Sequence, residues 1–150
     1  MKEWESVDEV LDFAIGEEEA AAEFYTQLAG RMEKPRMRRV FESFAQEEVR
    51  HREKLLDVKA GHDFAPAEDQ VLDLKIAEYV VDVTPSEDMG YQEALIVAMK
   101  KEKAAFKLYT DLAASVADSS VETLFLALAQ EEAKHKLFFE VEYDNLLGDN

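Results

Sequence analysis

The 150-residue chain contains no cysteine, which excludes disulfides, Cys-ligated zinc and iron–sulfur clusters. It has three prolines and five glycines, so long uninterrupted helices are permitted. Basic residues are also scarce, with 17 Lys and Arg against 34 Asp and Glu. The net charge of −17 argues against nucleic acid and anionic membranes as partners, and it allows attraction of cations.

Long apolar runs are missing as well. No run approaches the length of a membrane span, and the N-terminal residues lack the apolar segment of a secretory signal. We therefore expect a cytoplasmic protein. Apolar residues at 47% and charged residues at 34% describe a folded globular protein. Its length is that of one domain, which we take to be residues 1–150.

Apolar residues recur at helical spacing in four stretches of the chain. The first stripe begins after the expected N-cap Ser6 and is followed by a short polar connection at residues 30–34. The second begins at Pro35 and ends at Gly61, and the third follows Gly90 and reaches Val116. The fourth has its N-cap among residues 118–120 and ends at Gly148. Pro35 suits the first turn of the second helix, because its missing N–H needs no partner there. Four amphipathic helices predict an all-α protein whose apolar stripes face one core.

One short pattern occurs twice in the chain. Residues 45–51 read AQEEVRH, and residues 129–135 read AQEEAKH, 84 positions later. Each copy holds a Glu and a His three residues apart, which lie on one face of a helix. The same offset relates further stripe positions without a gap. These pairs are Leu11 and Leu95, Ala14 and Ala98, Glu18 and Glu102, Tyr25 and Tyr109, and Phe41 and Phe125.

The polar residues that interrupt the stripes coincide in both copies, which indicates an internal duplication. Short connections within each half and a long one between them predict two helical hairpins joined by a crossover. The crossover, residues 62–89, contains Pro66 and Pro85. The segment between these two prolines is compatible with a short helix or a strand-like crossover, and we favour the short helix.

The duplication places six polar residues inside the predicted core: Glu18, Glu48, His51, Glu102, Glu132 and His135. Buried carboxylates that stay ionised without partners are costly, and no Lys or Arg occupies a central stripe position to neutralise these. Two divalent cations would balance four carboxylates. Oxygen-rich ligands with one imidazole per ion favour iron or manganese, and zinc can also occupy such a site.

This pattern resembles the ferritin-like di-iron carboxylate superfamily, and most closely the rubrerythrin family. In such bundles two helices each supply a Glu, and the other two each supply a Glu-x-x-His. The resemblance implies a ferritin-like four-helix bundle that holds two iron ions. It implies that Glu18 and His51 bind one iron, and that Glu102 and His135 bind the other.

The same resemblance assigns the remaining residues and the activity. Glu48 and Glu132 are implied to bridge the two irons, and Tyr25 and Tyr109 to hydrogen-bond to carboxylate ligands. The implied function is that of a non-haem di-iron oxidoreductase that reduces peroxide or dioxygen. Its electrons would come from an external protein such as a rubredoxin, and the protein is expected to be a homodimer.

Two features differ from the rubrerythrins proper. Those proteins carry a rubredoxin domain with Cys ligands, whereas this chain has no Cys. They also place a further Glu three residues after the third-helix ligand, where this chain has Ala105. The remaining six-ligand site is more like that of bacterioferritin. Ferroxidation or iron handling is therefore an alternative function, and a non-catalytic, metal-stabilised bundle is a second alternative.

Glu47 and Glu131 also repeat at the same offset. Glu47 and His51 are four residues apart, which is compatible with binding one metal together. We prefer Glu48 as the ligand, because it lies more centrally in the stripe and because the related family uses a spacing of three.

Overall fold

The computed structural model describes residues 7–61, 89–117 and 119–148. These residues form four α-helices: α1 (Val7–Arg31), α2 (Pro35–Gly61), α3 (Tyr91–Ser115) and α4 (Ser119–Gly148). Helix α1 packs along α2, and α3 packs along α4, while the contact between α1 and α3 is slight. The predicted all-α fold with two helical hairpins is confirmed. The short helix expected in the crossover lies outside the described residues.

The helix ends follow from local chemistry. Pro35 is the first residue of α2, where the lost N–H costs no intrahelical bond. Gly90 precedes α3 with an extended backbone, and its carbonyl accepts a 3.0 Å bond from the Ala94 N–H. Gly90 makes no side-chain capping bond, because glycine has no side chain to accept one.

The apolar core is divided into two clusters, and both contain residues from all four helices. One cluster includes Leu11, Leu55, Leu112 and Phe125. The other includes Tyr25, Phe41, Leu95 and Phe139. In each helix the buried polar residues lie between the parts that enter the two clusters. The bundle therefore encloses a polar layer near its middle.

The apolar stripes are wider than the buried faces. Phe106, Phe138 and Val141 occur at the helical spacing of the apolar stripes, but the structure leaves these side chains exposed, Val141 by 49%. Leu126 and Leu137 on α4 are also exposed. Helix α4 is apolar on its outer side as well as its inner side, so periodicity alone could not identify the packed face. Within the described residues, no helix has the length and apolar character needed to cross a membrane.

Candidate metal centre

Each helix contributes to the polar layer at its middle. Glu18 comes from α1, Glu48 and His51 from α2, Glu102 from α3, and Glu132 and His135 from α4. All four carboxylates and the His51 ring are buried, and the His135 side chain is 12% exposed. The structure thus brings together all six residues that the sequence pattern singled out.

The six side chains form two overlapping groups of four. One group is Glu18, Glu48, His51 and Glu132, and the other is Glu48, Glu102, Glu132 and His135. Within each group, one nitrogen or oxygen from every residue lies within 4.8 Å of the others. Glu48 and Glu132 belong to both groups. This is the arrangement needed to hold two ions with two carboxylates shared between them.

The His51 ring faces carboxylates on both of its sides. Its Nδ1 lies 2.6 Å from Glu132 Oε1 and 3.7 Å from both Glu18 Oε2 and Glu48 Oε1. Its Nε2 lies 2.5 Å from Glu131 Oε2. Burial lowers the pKa of His51, but contacts with Glu18 and Glu131 outweigh it, and the net pKa is raised. The distances show that Nδ1 is the nitrogen directed into the centre.

His135 also directs Nδ1 towards carboxylates, from the other side of the centre. Its Nδ1 lies 3.5 Å from Glu48 Oε1 and 3.7 Å from Glu102 Oε2. The rings of His51 and His135 are nearly parallel, with centroids 5.8 Å apart and an interplanar angle of 6°. Nδ1 of His51 thus lies near Glu18, and Nδ1 of His135 lies near Glu102, the two carboxylates that belong to one group each.

Two tyrosines tie the halves of the molecule together across the centre. The Tyr25 hydroxyl on α1 donates to Glu102 Oε1 on α3 over 2.6 Å. The Tyr109 hydroxyl on α3 donates to Glu18 Oε1 on α1. Burial, reinforced by the nearby carboxylates, raises the pKa of both phenols well above the usual range. Both tyrosines therefore stay protonated and act as donors, as their expected hydrogen-bonding role requires.

The polar centre has atoms that lack hydrogen-bond partners. Among the described residues, seven buried side-chain atoms are in this state, and all belong to the six residues of the centre. They are Glu18 Oε2, Glu48 Oε1, His51 Nδ1, Glu102 Oε2, both Glu132 oxygens and His135 Nδ1. Some lie close together, as His51 Nδ1 and Glu132 Oε1 do, but without the alignment of a hydrogen bond. Buried polar atoms rarely stay unpaired, so their convergence fits metal ligation.

A small cavity of about 30 Å³ opens between α1 and α3 and reaches the four carboxylates. Ala21 and Ala105, which are related by the duplication, line its sides. Glu17 and Lys101, a second duplicated pair, also line it. Burial raises the pKa of Glu17, and the charge of Lys101 partly opposes that rise. This volume admits a molecule of the size of water or peroxide.

A family model described as Rubrerythrin matches residues 9–143. The chain belongs to the rubrerythrin family. A search among curated proteins found no match.

Two solved structures are similar to this rubrerythrin-family chain. One is a hypothetical protein from Pyrococcus furiosus, with 26% identity and a TM-score of 0.70, covering 95% of this chain and 91% of that chain. The other is a candidate ferritin-like diiron-carboxylate protein from Thermotoga maritima, with 21% identity and a TM-score of 0.75. That match covers 96% of this chain and 97% of the other. Its identity is low, so it bears on the fold, which is ferritin-like.

The family and the Glu/His cluster together indicate an iron-binding site. Burial, with the charges of Glu18 and Glu102, raises the pKa of Glu48 well above its usual range. Burial, with the charges of Glu102 and Glu48, does the same to the pKa of Glu132. Burial also acts to raise the pKa of Glu102, but contacts with Glu132 and His135 outweigh it and lower that pKa. Bound cations would supply the positive charge that protons otherwise provide here.

Two parts of the site's surroundings were not predicted from the sequence. Glu131 was recognised as a repeated residue, but its contact with His51 across the helices was not foreseen. Glu47, its duplicate, forms an ion pair with Arg50 instead. The cavity beside Ala105 was not predicted either. Its only signal in the sequence is the small residue at a position where rubrerythrins proper have a glutamate.

Proposed function

We propose that the protein is a non-haem di-iron oxidoreductase that reduces hydrogen peroxide or dioxygen. The observation that carries this proposal is the pair of overlapping Glu/His groups, whose buried atoms lack other partners. Glu18 and His51 would hold one iron, and Glu102 and His135 the other. Glu48 and Glu132 would lie between them. Manganese or zinc can compete for the same ligands.

A bound pair of ferrous ions would supply Lewis acidity and one electron from each ion. Reduction of hydrogen peroxide to two waters needs two electrons and two protons, so the pair balances one turnover. The four carboxylates match the charge of two divalent ions. Tyr25 and Tyr109 hold the outer oxygens of Glu102 and Glu18, which leaves the other oxygen of each carboxylate free for the metal.

The cavity supports a small substrate. Its volume of about 30 Å³ is sufficient for peroxide or dioxygen. The two alanines, Ala21 and Ala105, keep the space between α1 and α3 open up to the carboxylates. The apolar clusters above and below the polar layer exclude bulk water from the remaining sides.

Anaerobic titration with ferrous iron, followed by rapid mixing with peroxide and separately with dioxygen, tests this function. We expect two irons per chain and an absorption increase that is fast with peroxide and slow with dioxygen. Reduction by a rubredoxin and renewed peroxide consumption would complete a cycle. Failure to bind two irons would refute the site. Iron that binds fully but never consumes peroxide would leave a metal-stabilised, non-catalytic bundle.

Ferroxidation for iron handling is the second candidate. It is favoured by Ala105, because no further carboxylate lines the cavity at the position where related proteins carry one. The same mixing experiment separates the two functions. Fast oxidation by dioxygen, with iron uptake continuing beyond two per chain, would favour ferroxidation.

The proposed functional unit is a homodimer that receives electrons from another protein. The outer side of α4 supports an association, because Leu137 is 59% exposed and Leu126 and Val141 are exposed on the same helix. Such apolar exposure is unusual on a surface as acidic as this one. Light scattering on the iron-loaded protein should give twice the mass of the chain. A monomer would contradict this part of the proposal.

A further inference from the structure

The starting observation is the outer side of the His51 ring. Nδ1 is directed into the metal centre, and Nε2 lies 2.5 Å from Glu131 Oε2. The ring belongs to α2 and Glu131 to α4, so the contact joins two helices of different halves. The ring itself is buried, whereas the Glu131 side chain is 37% exposed. Glu131 thus closes the outer end of a buried imidazole.

Glu131 also has a second, longer contact. Its Oε1 lies 3.9 Å from Lys54 Nζ, and Oε2 remains on the histidine. Glu131 is further restrained because it directly precedes Glu132 in the sequence. Glu132 is fully buried in the centre, so the backbone that carries Glu131 cannot shift without moving a shared carboxylate.

We propose that Glu131 is the positioning residue of His51. Its carboxylate oxygen accepts a hydrogen bond from the Nε2–H and thereby fixes the tautomer whose Nδ1 is free to bind a metal ion. A neutral imidazole carries a single N–H, so a firm acceptor at Nε2 decides which nitrogen remains a ligand. This inference rests on the proposed function only in that Nδ1 is taken to face a metal.

The duplicated residue provides an internal comparison. Glu47 occupies the position that corresponds to Glu131, but it is paired with Arg50 one turn away on its own helix. No contact joins Glu47 to His135 among the described residues. The two histidines therefore differ in the contact made by Nε2, although both direct Nδ1 into the centre. The metal position at His51 should be the better defined of the two.

A competing assignment uses the same residues. Glu47, His51 and Glu131 each offer an atom within 4.8 Å of the others, which could suggest a third metal position outside the centre. A metal there would have to bind Nε2, the nitrogen that Glu131 contacts. The two assignments make opposite statements about that nitrogen. A positioning role requires a proton on Nε2, and a third metal requires that it be absent.

Nitrogen-15 NMR of the zinc-loaded protein distinguishes them, because zinc is diamagnetic and the chain has three histidines. We expect His51 to show a metal-bound Nδ1 and a protonated Nε2 with slow solvent exchange. In Glu131→Ala that exchange should become at least about tenfold faster, while the His135 signals stay unchanged. Glu47→Ala is the matched control and should leave the His51 signals as they are.

Zinc titration of the same variants gives a second readout. Glu131→Ala should weaken one of two binding steps by about 10–100-fold, and Glu131→Gln, which keeps an acceptor oxygen, should weaken it less. Equal exchange and equal affinity in Glu131→Ala and wild type would overturn the proposal, as would a third zinc bound at Nε2. Normal zinc results without peroxide turnover would refute the proposed function alone. A wild-type chain that binds no zinc would refute both.

Discussion

The two halves of the molecule agree inside the centre and differ just outside it. The α1–α2 half and the α3–α4 half each supply two carboxylates and one histidine at matching positions. Each half also sends one tyrosine to a carboxylate of the other half. Around this shared interior, Glu17 corresponds to Lys101 and Arg50 to Lys134. Of the duplicated residues Glu131 and Glu47, which lie just outside the centre, Glu131 contacts His51 and Glu47 pairs with Arg50.

This difference indicates what each layer of the structure requires. In the interior, each group of ligands has three carboxylates and one imidazole, so the two halves present the same donor atoms. The residues one layer out contact the ligands without binding the ions, and they are free to diverge. Their divergence can make two metal positions with the same ligands behave differently.

The largest expected effect is at the shared carboxylates, where the two halves should respond equally. Glu48→Gln and Glu132→Gln each remove one charge from both groups of ligands. We expect ferrous iron to bind about 100-fold more weakly in each variant. Their metal-free forms should become more stable, because one buried carboxylate near like charges is lost. Iron titration and thermal unfolding provide the measurements. Clearly unequal losses in the two variants would contradict the equivalence of the halves.

The next effect concerns the tyrosines that cross between the halves. Tyr25→Phe leaves Glu102 Oε1 without its donor, and Tyr109→Phe does the same to Glu18 Oε1. A hydrogen bond to a charged group contributes about 1.5–3 kcal/mol, so each metal-loaded variant should lose that much stability. Urea unfolding of both variants gives the comparison. A loss in only one of them would show that the two crossings are not equivalent.

A smaller effect is expected from filling the cavity. Ala105→Leu extends a side chain into the space of about 30 Å³ beside the carboxylates. We expect oxidation of bound iron to slow about tenfold, which is about 1.4 kcal/mol in the barrier. Metal stoichiometry should remain two. Ala21→Leu tests the opposite wall from the other half. Stopped-flow oxidation is the readout, and an unchanged rate in both variants would mean that substrate enters elsewhere.

The smallest effect lies at a contact that only one end of the molecule has. Arg36 and Glu142 form an ion pair over 2.8 Å, while the duplicate positions hold Ser120 and Val58. Because the Arg36 side chain is 63% exposed, Arg36→Ala should cost only about 0.5 kcal/mol at neutral pH. Urea unfolding across a pH series measures the difference.

That difference should depend on pH in a defined direction. Hydrogen bonds from Arg36 hold the pKa of Glu142 below its usual range. A carboxylate with a lowered pKa adds stability above the pKa of the unfolded state. That stability is lost as the pH falls through the folded value. Wild type and Arg36→Ala should therefore converge in acid, and a difference that grows on acidification would contradict the assignment.

Much of the fold and of the centre followed from the sequence. Period-3.6 stripes predicted the helices, because each helix buries one apolar face against the bundle. Glu18 and Glu102 were identifiable because a charged residue inside such a stripe must have a partner. The family resemblance predicted that Tyr25 and Tyr109 hydrogen-bond to carboxylate ligands. In the structure both hydroxyls donate to carboxylates.

The remaining features depend on side chains from different helices. Glu47 and Glu131 occupy similar sequence contexts, AQEEVRH and AQEEAKH, so their repetition did not indicate that Glu131 contacts a histidine while Glu47 pairs with Arg50. The sequence also did not predict the exposure of Leu137 and Phe138, because α4 is apolar on two sides.

The division of the core has a consequence for how the protein acquires its metal. Each apolar cluster draws residues from all four helices, one above the polar layer and one below it. The helices are therefore fastened at two levels that do not involve the ligands. We therefore expect the bundle to assemble without metal ions, unlike small domains that unfold without them. A chain synthesised while iron is scarce can remain folded, with its ligands already assembled, until the metal is supplied.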